Sequence, residues 1–242
     1  MQTTVVNMKL LVLAGGFGTR LQSVVAEVPK ALASVGDVPF LYLQIEHWIS
    51  QGLRSFVFLL HHQADLIIQF LELEKSKLLK GCEVAWVIEP KPMDTGGAVA
   101  YAVSQLKLAD EFLLTNADTW LGSGIKIVAQ STAPSMAVLS VSNSSRYGQV
   151  EFDDQLKVTT FIEKSNTQGS GWINAGLCHL NVDIFQYWNG QPFSLERVLF
   201  TQLAGEGVLT AVALNTDFID IGIPADYLRF CSWIDNDRKG TL

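Results

Sequence analysis

The chain has 242 residues, with Lys and Arg totalling 17 and Asp and Glu totalling 24, a formal net charge of −7. Its hydrophobic fraction of 48% is ordinary, while its 17% of charged residues falls below the usual figure of about 25%. These values exclude disorder, collagen and coiled coil, and the acidic balance argues against a non-specific binder of nucleic acid or anionic membrane.

At this length the reading is a single domain over 1–242, large enough to need no disulfide or metal staple. Lys9–Ala14 is a near-continuous apolar run, as expected for a strand buried on both faces. Pro39–Gly52 carries Leu41, Ile45, Trp48 and Ile49 at helical spacing and ends at a glycine stop. Ser55–Leu60 reads as a strand, Ala64–Leu79 as a helix, Cys82–Ile88 as a strand, Gly96–Leu106 as a helix and Phe112–Thr115 as a strand. Such alternation predicts a parallel sheet with helices on both faces.

The second half differs. Ser135–Val141 reads as a strand, and Val150–Phe152 and Lys157–Ile162 flank the turn signal Asp153-Asp154 as a hairpin. Trp172–Leu180 is a further strand, Leu195–Ala204 a helix, Val208–Leu214 and Phe218–Ile221 short strands, and Ala225–Ile234 a closing helix. The predicted class is α/β, a mixed and mainly parallel sheet with an antiparallel lobe in the C-terminal half. In such sheets ligands sit beyond the carboxyl ends of the strands, which places chemistry after Ala14, Ile88 and Thr115 and near Asp220.

No spanning helix is expected. The uncharged stretch Ile127–Ser145 is rich in Ser, Thr and Gln and contains Pro134. The opening MQTTVVN lacks a basic region, and Leu10–Ala14 is too short for a signal sequence, so the expectation is a soluble, cytoplasmic protein. Cys82, Cys178 and Cys231 form no CxxC pair and read as reduced thiols.

The strongest local signal is Ala14-Gly15-Gly16-Phe17-Gly18-Thr19-Arg20-Leu21, directly after the first strand. Its glycines let backbone N–H groups approach phosphate oxygens, Arg20 can fork onto phosphate, and Pro29-Lys30 presents a second cation. Alone, the same residues also make a tight turn with a surface arginine. The spacing matches neither GxxxxGK[ST] nor a full GxGxxG. Glu89-Pro90-Lys91-Pro92-Met93-Asp94-Thr95-Gly96-Gly97 opens a helix, whose N–H donors suit a ligand but also suit a plain capped loop. Asn116-Ala117-Asp118 ends a strand, and Asp220 lies between apolar residues; two such carboxylates suit Mg²⁺, or else a cap and a buried salt bridge. Gly148, Glu163, Lys164 and Asn174 suit a sugar and its phosphate, although such residues are common on solvated faces. No histidine pair has zinc-ligand spacing, and no GxSxG elbow exists.

Taken in order, LAGGFGTRL, VPKAL, DVPFL, EPKPMDTGGA, LLTNAD, YGQVEFD, FIEK, INAGL, FSLE and FIDIGIPADY resemble the sugar-1-phosphate nucleotidyltransferases. Within them the series is most similar to the D-glycero-α-D-manno-heptose 1-phosphate guanylyltransferase subgroup. The resemblance implies a Rossmann-like core, with residues 8–130 as the nucleotide-binding half and 131–242 as the sugar-binding half. It also assigns roles. Arg20, Lys30 and Asp118 would be catalytic. Ala14, Gly15, Gly16, Gly18, Thr19, Glu89, Thr95, Gly96 and Asn116 would bind the nucleotide. Gly148, Glu163, Lys164 and Asn174 would bind the sugar phosphate, and Asp118 and Asp220 would hold Mg²⁺. Ala117 stands where many members have glycine.

The expected reaction joins a nucleoside triphosphate, GTP by resemblance, to a sugar 1-phosphate, releasing pyrophosphate and supplying a precursor of cell-surface polysaccharide. Neither nucleic acid nor membrane is an expected partner, and homo-oligomerisation stays open. Hexose-1-phosphate guanylyl-, thymidylyl- or uridylyltransfer is the nearest alternative. A metal-dependent glycosyltransferase and a non-catalytic nucleotide-binding subunit are more distant. A dehydrogenase is weakened because the second strand ends in His61, not an acid.

Overall fold

The computed structural model describes residues 7–21, 23–25, 27–163 and 169–240, with 236–240 in backbone only. The first strand, β1 (Lys9–Leu13), is buried at Leu10, Leu11 and Val12. A small ribbon of β2 (Ser34–Val35) and β3 (Val38–Pro39) leads into helix α1 (Phe40–Ser50). Gly52, at φ +100°, ends that helix, and Leu53 N–H donates back to Trp48 O at 3.1 Å. There follow β4 (Ser55–Leu60), α2 (Ala64–Glu74), β5 (Glu83–Ile88), α3 (Asp94–Leu106) and β6 (Phe112–Asn116). Helix α2 stops short of the expected Leu79, because Leu79 N–H folds back onto Glu74 O in a turn.

The second half runs through β7 (Thr119–Leu121), α4 (Ile125–Ala129), β8 (Ser135–Val141), β9 (Gln149–Phe152), β10 (Val158–Ile162) and β11 (Gly171–Leu180). The expected helix after Ser194 begins as a π-helical segment, Leu195–Phe200, and continues as α5 (Thr201–Gly205). Strands β12 (Thr210–Ala213) and β13 (Phe218–Asp220) and helix α6 (Pro224–Gly240) close the chain.

Among the described residues these strands build one nine-stranded mixed sheet and two small ribbons. Strands β6, β1, β4 and β5 run parallel, in that order. Strand β11 pairs antiparallel with β6 and with β8, and β9 and β10 form the expected hairpin. Strand β12 departs from the antiparallel expectation: it pairs parallel with β8. The fold is therefore α/β, with helices on a sheet that is parallel in its first half and mixed in its second.

The period of a strand divides the core. Leu10, Val12, Phe56, Phe58 and Leu60 face the apolar stripes of α1 and α2, including Leu41, Ile45, Ile67 and Leu71. Leu11, Val57 and Leu59 face α3 and the segment after Ser194, through Val99, Ala102, Leu195 and Leu199. A third cluster forms where Phe230 and Ile234 of α6 cover Trp120, Ile219 and Phe40. That last cluster fixes β13 against β7, with Asp220 opposite Thr119.

Candidate active site

The glycine-rich turn begins where the ladder of β1 ends. Ala14 N–H donates to Leu59 O at 2.9 Å, and Ala117 N–H to Leu13 O at 3.0 Å, so the β1 and β6 loops leave the sheet side by side. Gly15 is required by crowding: a Cβ there would lie 3.0 Å from both Glu89 Oε1 and His61 N. Gly18 turns the chain at φ +61°, and its carbonyl accepts from Leu21 N–H at 3.0 Å. Leu21 is buried and anchors the turn, which leaves Arg20 at the surface of the cleft. After Pro29, a short 3₁₀ turn over Lys30–Leu32 buries Ala31 and aims Lys30 inward. Lys30 Nζ meets Asp118 Oδ2 at 2.5 Å.

Asp118 occupies the turn between β6 and β7. Buried Gln44 of α1 braces that turn from behind, its Nε2 donating to Thr119 O at 2.9 Å and Asn116 O at 3.3 Å. Ile221 N–H donates to Asp118 O at 2.9 Å and brings the end of β13 alongside. Asp220 Oδ1 accepts from Gly222 N–H at 2.7 Å. Burial pushes the Asp220 carboxyl above the usual carboxylate range, and the Asp118 carboxylate pushes it further; Lys30, the Gly222 N–H and Arg20 offset part of this. A buried Asp220 carboxyl whose proton affinity is raised further by a neighbouring carboxylate marks a site short of positive charge. Glu89 is also buried, and desolvation raises its pKa against the opposing hydrogen bond from Met93 N–H to Oε2, 2.8 Å long.

These groups line a cavity of about 590 Å³. Ala14, Gly15, Gly16, Gly18, Arg20, Lys30, Glu89, Thr95, Asn116, Asp118 and Asp220 all border it. Thr19 does not line it. Nor does Gly96, whose N–H donates to Phe193 O at 2.8 Å and at whose position a Cβ would fall 2.2 Å from the Phe193 ring. Gly97 N–H goes to the same carbonyl, so these two α3 amides serve internal packing and not the open donor pair expected from the sequence. A neighbouring cavity of about 110 Å³ is bordered by Gly148, Glu163 and Asn174, together with Arg146 and Tyr147. Gly148 O accepts from Asn174 N–H at 2.9 Å, and Asn174 Oδ1 from Gly176 N–H at 3.0 Å. Lys164 lies outside the described residues.

Sequence reasoning gave no role to His61, Met93 or Glu196, all of which border the larger cavity. A signal for Glu196 was present in the FSLE segment, where Ser194 caps the following turn by accepting from Arg197 N–H at 3.2 Å. Among the described residues no helix is long and apolar enough to cross a membrane, and no group of three or more His, Cys, Asp or Glu is placed to hold a metal ion. The three cysteines are free thiols.

This arrangement of a glycine turn, two cations and two carboxylates at strand ends sits in a chain whose residues 9–230 match the family model described as nucleotidyl transferase. The chain belongs to the nucleotidyl transferase family. It is 32% identical over 241 residues to the probable mannose-1-phosphate guanylyltransferase 1 of Oryza sativa subsp. japonica, covering 96% of this chain and 66% of that protein. The chain thus spans just under two thirds of that relative's length. It is 31% identical over 228 residues to the D-glycero-alpha-D-manno-heptose 1-phosphate guanylyltransferase of Campylobacter jejuni subsp. jejuni, covering 92% of this chain and 98% of that protein. A crystal structure of HddC from Yersinia pseudotuberculosis complexed with GMP-PN is similar at a TM-score of 0.81 and 31% identity, covering 94% of this chain and 99% of that one.

Proposed function

We propose that this chain is a sugar-1-phosphate guanylyltransferase, joining GTP to D-glycero-α-D-manno-heptose 1-phosphate to give a GDP-sugar and pyrophosphate. The observation that carries this reading is the convergence of Arg20, Lys30, Asp118 and Asp220 on the cavity that the glycine turn borders. A phosphate oxygen of the sugar phosphate attacks the α-phosphorus in line, the α–β bridging bond breaks, and pyrophosphate leaves with the electron pair. No side-chain nucleophile takes part, so the protein contributes positioning and charge. Lys30 stabilises the negative charge that gathers at the α-phosphorus, and Arg20 that on the departing pyrophosphate. Ala14, Gly15, Gly16 and Glu89 receive the nucleoside, while Gly148, Glu163, Lys164 and Asn174 receive the sugar phosphate. In domain terms, residues 8–130 serve the nucleotide and 131–242 the sugar, within one catalytic unit.

Mg²⁺ suits the site. The ion takes one or two carboxylates and completes its shell with water and phosphate oxygens, and Asp118 and Asp220 offer such a pair, short of positive charge. When bound it neutralises phosphate oxygens. Lys30, which pairs with Asp118, would share the neutralisation of these carboxylates with the ion. The setting we assign is the cytoplasm, where NTP substrates are made, and the product feeds cell-surface polysaccharide assembly.

The likeness to the rice mannose-1-phosphate enzyme supports a second reading with D-mannose 1-phosphate as the sugar substrate. The test is a matrix of the four ribonucleoside triphosphates and dTTP against heptose, mannose and glucose 1-phosphates with Mg²⁺, read as pyrophosphate. The expected signal is GTP with the heptose phosphate. GTP with mannose phosphate would move the assignment to the second reading. UTP or dTTP with glucose phosphate would overturn the guanylyl assignment, and no pyrophosphate with any pair would overturn the reaction.

A further inference from the structure

Asn116, Thr119, Glu196 and Asp220 border both the nucleotide cavity and its smaller neighbour. Asp220 already has a part in the reading above, the family resemblance gives Asn116 to the nucleotide, and the Thr119 hydroxyl donates to Asp118 Oδ1 at 3.3 Å. Glu196 has no assigned part, yet its carboxylate is held with unusual care. Oε2 accepts from Thr95 Oγ1 at 2.7 Å and from Ser194 Oγ at 2.8 Å. Each hydroxyl is itself oriented by a backbone donor: Leu195 N–H reaches Thr95 Oγ1 at 2.9 Å, and Arg197 N–H reaches Ser194 Oγ at 3.2 Å. Both hydroxyl protons therefore point at Oε2, and the carboxylate plane is set. Oε1 is left without a hydrogen bond among the described residues. The residue sits in the first turn of the π-helical segment Leu195–Phe200, a conformation that recurs at functional sites.

Charge decides what this second oxygen can receive. A carboxylate is only an acceptor, and it repels phosphate. In a cleft built for phosphates, its complement is a neutral hydroxyl. The neighbouring cavity also carries the Asn174 carboxamide and the Glu163 carboxylate, further groups suited to a polyhydroxyl ring. We propose that Glu196 is a specificity-determining residue whose Oε1 accepts a hydrogen bond from a ring hydroxyl of the sugar 1-phosphate. Oε2, tied to Thr95, fixes that hydroxyl relative to α3 and so to the nucleotide wall. This inference rests on the transferase reading and names a sugar contact within it.

Glu196→Gln tests it. The amide oxygen can still accept from Thr95 and Ser194, while the NH₂ group places a donor where Oε1 stood. Pyrophosphate release is measured against varied sugar 1-phosphate at saturating GTP, then against varied GTP, using whichever of the heptose and mannose 1-phosphates the wild-type protein turns over. Loss of a hydrogen bond to a charged acceptor predicts a KM for the sugar phosphate raised about 10-fold or more, with the KM for GTP within about 3-fold of wild type. A sugar KM that does not move, or both KM values rising together, overturns the inference and leaves the reaction standing. A wild-type protein that releases no pyrophosphate overturns the reaction itself. Should Glu196→Gln fold poorly, Glu196→Asp, which withdraws the carboxylate by one methylene, must show the same split between the two KM values.

Discussion

Lys30 is the residue on which the proposed chemistry would turn most directly. Its ammonium sits against Asp118 at the mouth of the glycine turn. The Lys30→Ala variant should lower turnover at least ~100-fold, as expected for loss of one preorganised charge-stabilising group, and steady-state pyrophosphate release checks it. Gly96 carries a different expectation. Its neighbour is the Phe193 ring and not the cavity, so Gly96→Ala should behave as an overpacking change, costing about 1–3 kcal/mol of stability. A thermal melt decides: an unchanged Tm with weakened GTP binding would return Gly96 to the nucleotide. The convergence of Arg20, Lys30, Asp118 and Asp220 on one cavity was legible in the sequence because each lies at a turn or strand end on the side where such sheets open. Glu196 was not, because an acidic residue in the first turn after a capping serine is ordinary at a helix start. The Phe193 ring beside Gly96 was not legible, because a glycine pair opening a helix looks the same whether a ligand or an aromatic ring approaches it.

At the level of elements, strands β4 and β8 have the boundaries read from their apolar runs, since polar residues or proline flank both. Strands β2, β3 and β7 were not legible, because two or three residues without an apolar run show no period. Yet β7 matters: its pairing with β13 brings Asp220 beside Asp118. Helix α1 supports that ribbon through His47, which stacks on Trp120 at 4.5 Å and whose Nε2–H donates to Leu121 O at 3.0 Å. Burial lowers the His47 pKa below its ordinary 6.5, although the carbonyls of Leu121 and Gly122 raise it in part. The unfolded chain therefore takes up the proton first as pH falls. The stability contributed by neutral His47 is complete above about pH 6.5 and is lost below it as pH falls toward the folded value. Melting curves between about pH 7.5 and about pH 5.5 should show a Tm that falls with acidification, and His47→Gln should flatten that slope. Equal slopes in the two proteins would contradict this role.

Over the whole molecule, one sheet carries both cavities. Strand β6, whose end bears Asn116 and leads to Asp118, joins the parallel strands behind the glycine turn to β11, which bears Asn174. The alternation of strands and helices made the first half of that sheet readable. The crossing from β6 to β11 was not readable, because a pairing between distant segments leaves no local pattern. On the proposed reading, the placement of a second, polar cavity against the first is the feature that would let two phosphorylated substrates meet in line. Asp118 borders the larger cavity, touching Lys30 on one side and accepting from Ile221 N–H, next to Asp220, on the other. The most direct measurement is the rate of pyrophosphate release by folded Asp118→Ala and wild-type protein at saturating GTP, sugar 1-phosphate and Mg²⁺. The account predicts a rate at least ~100-fold below wild type; a rate within about 3-fold of wild type would contradict it.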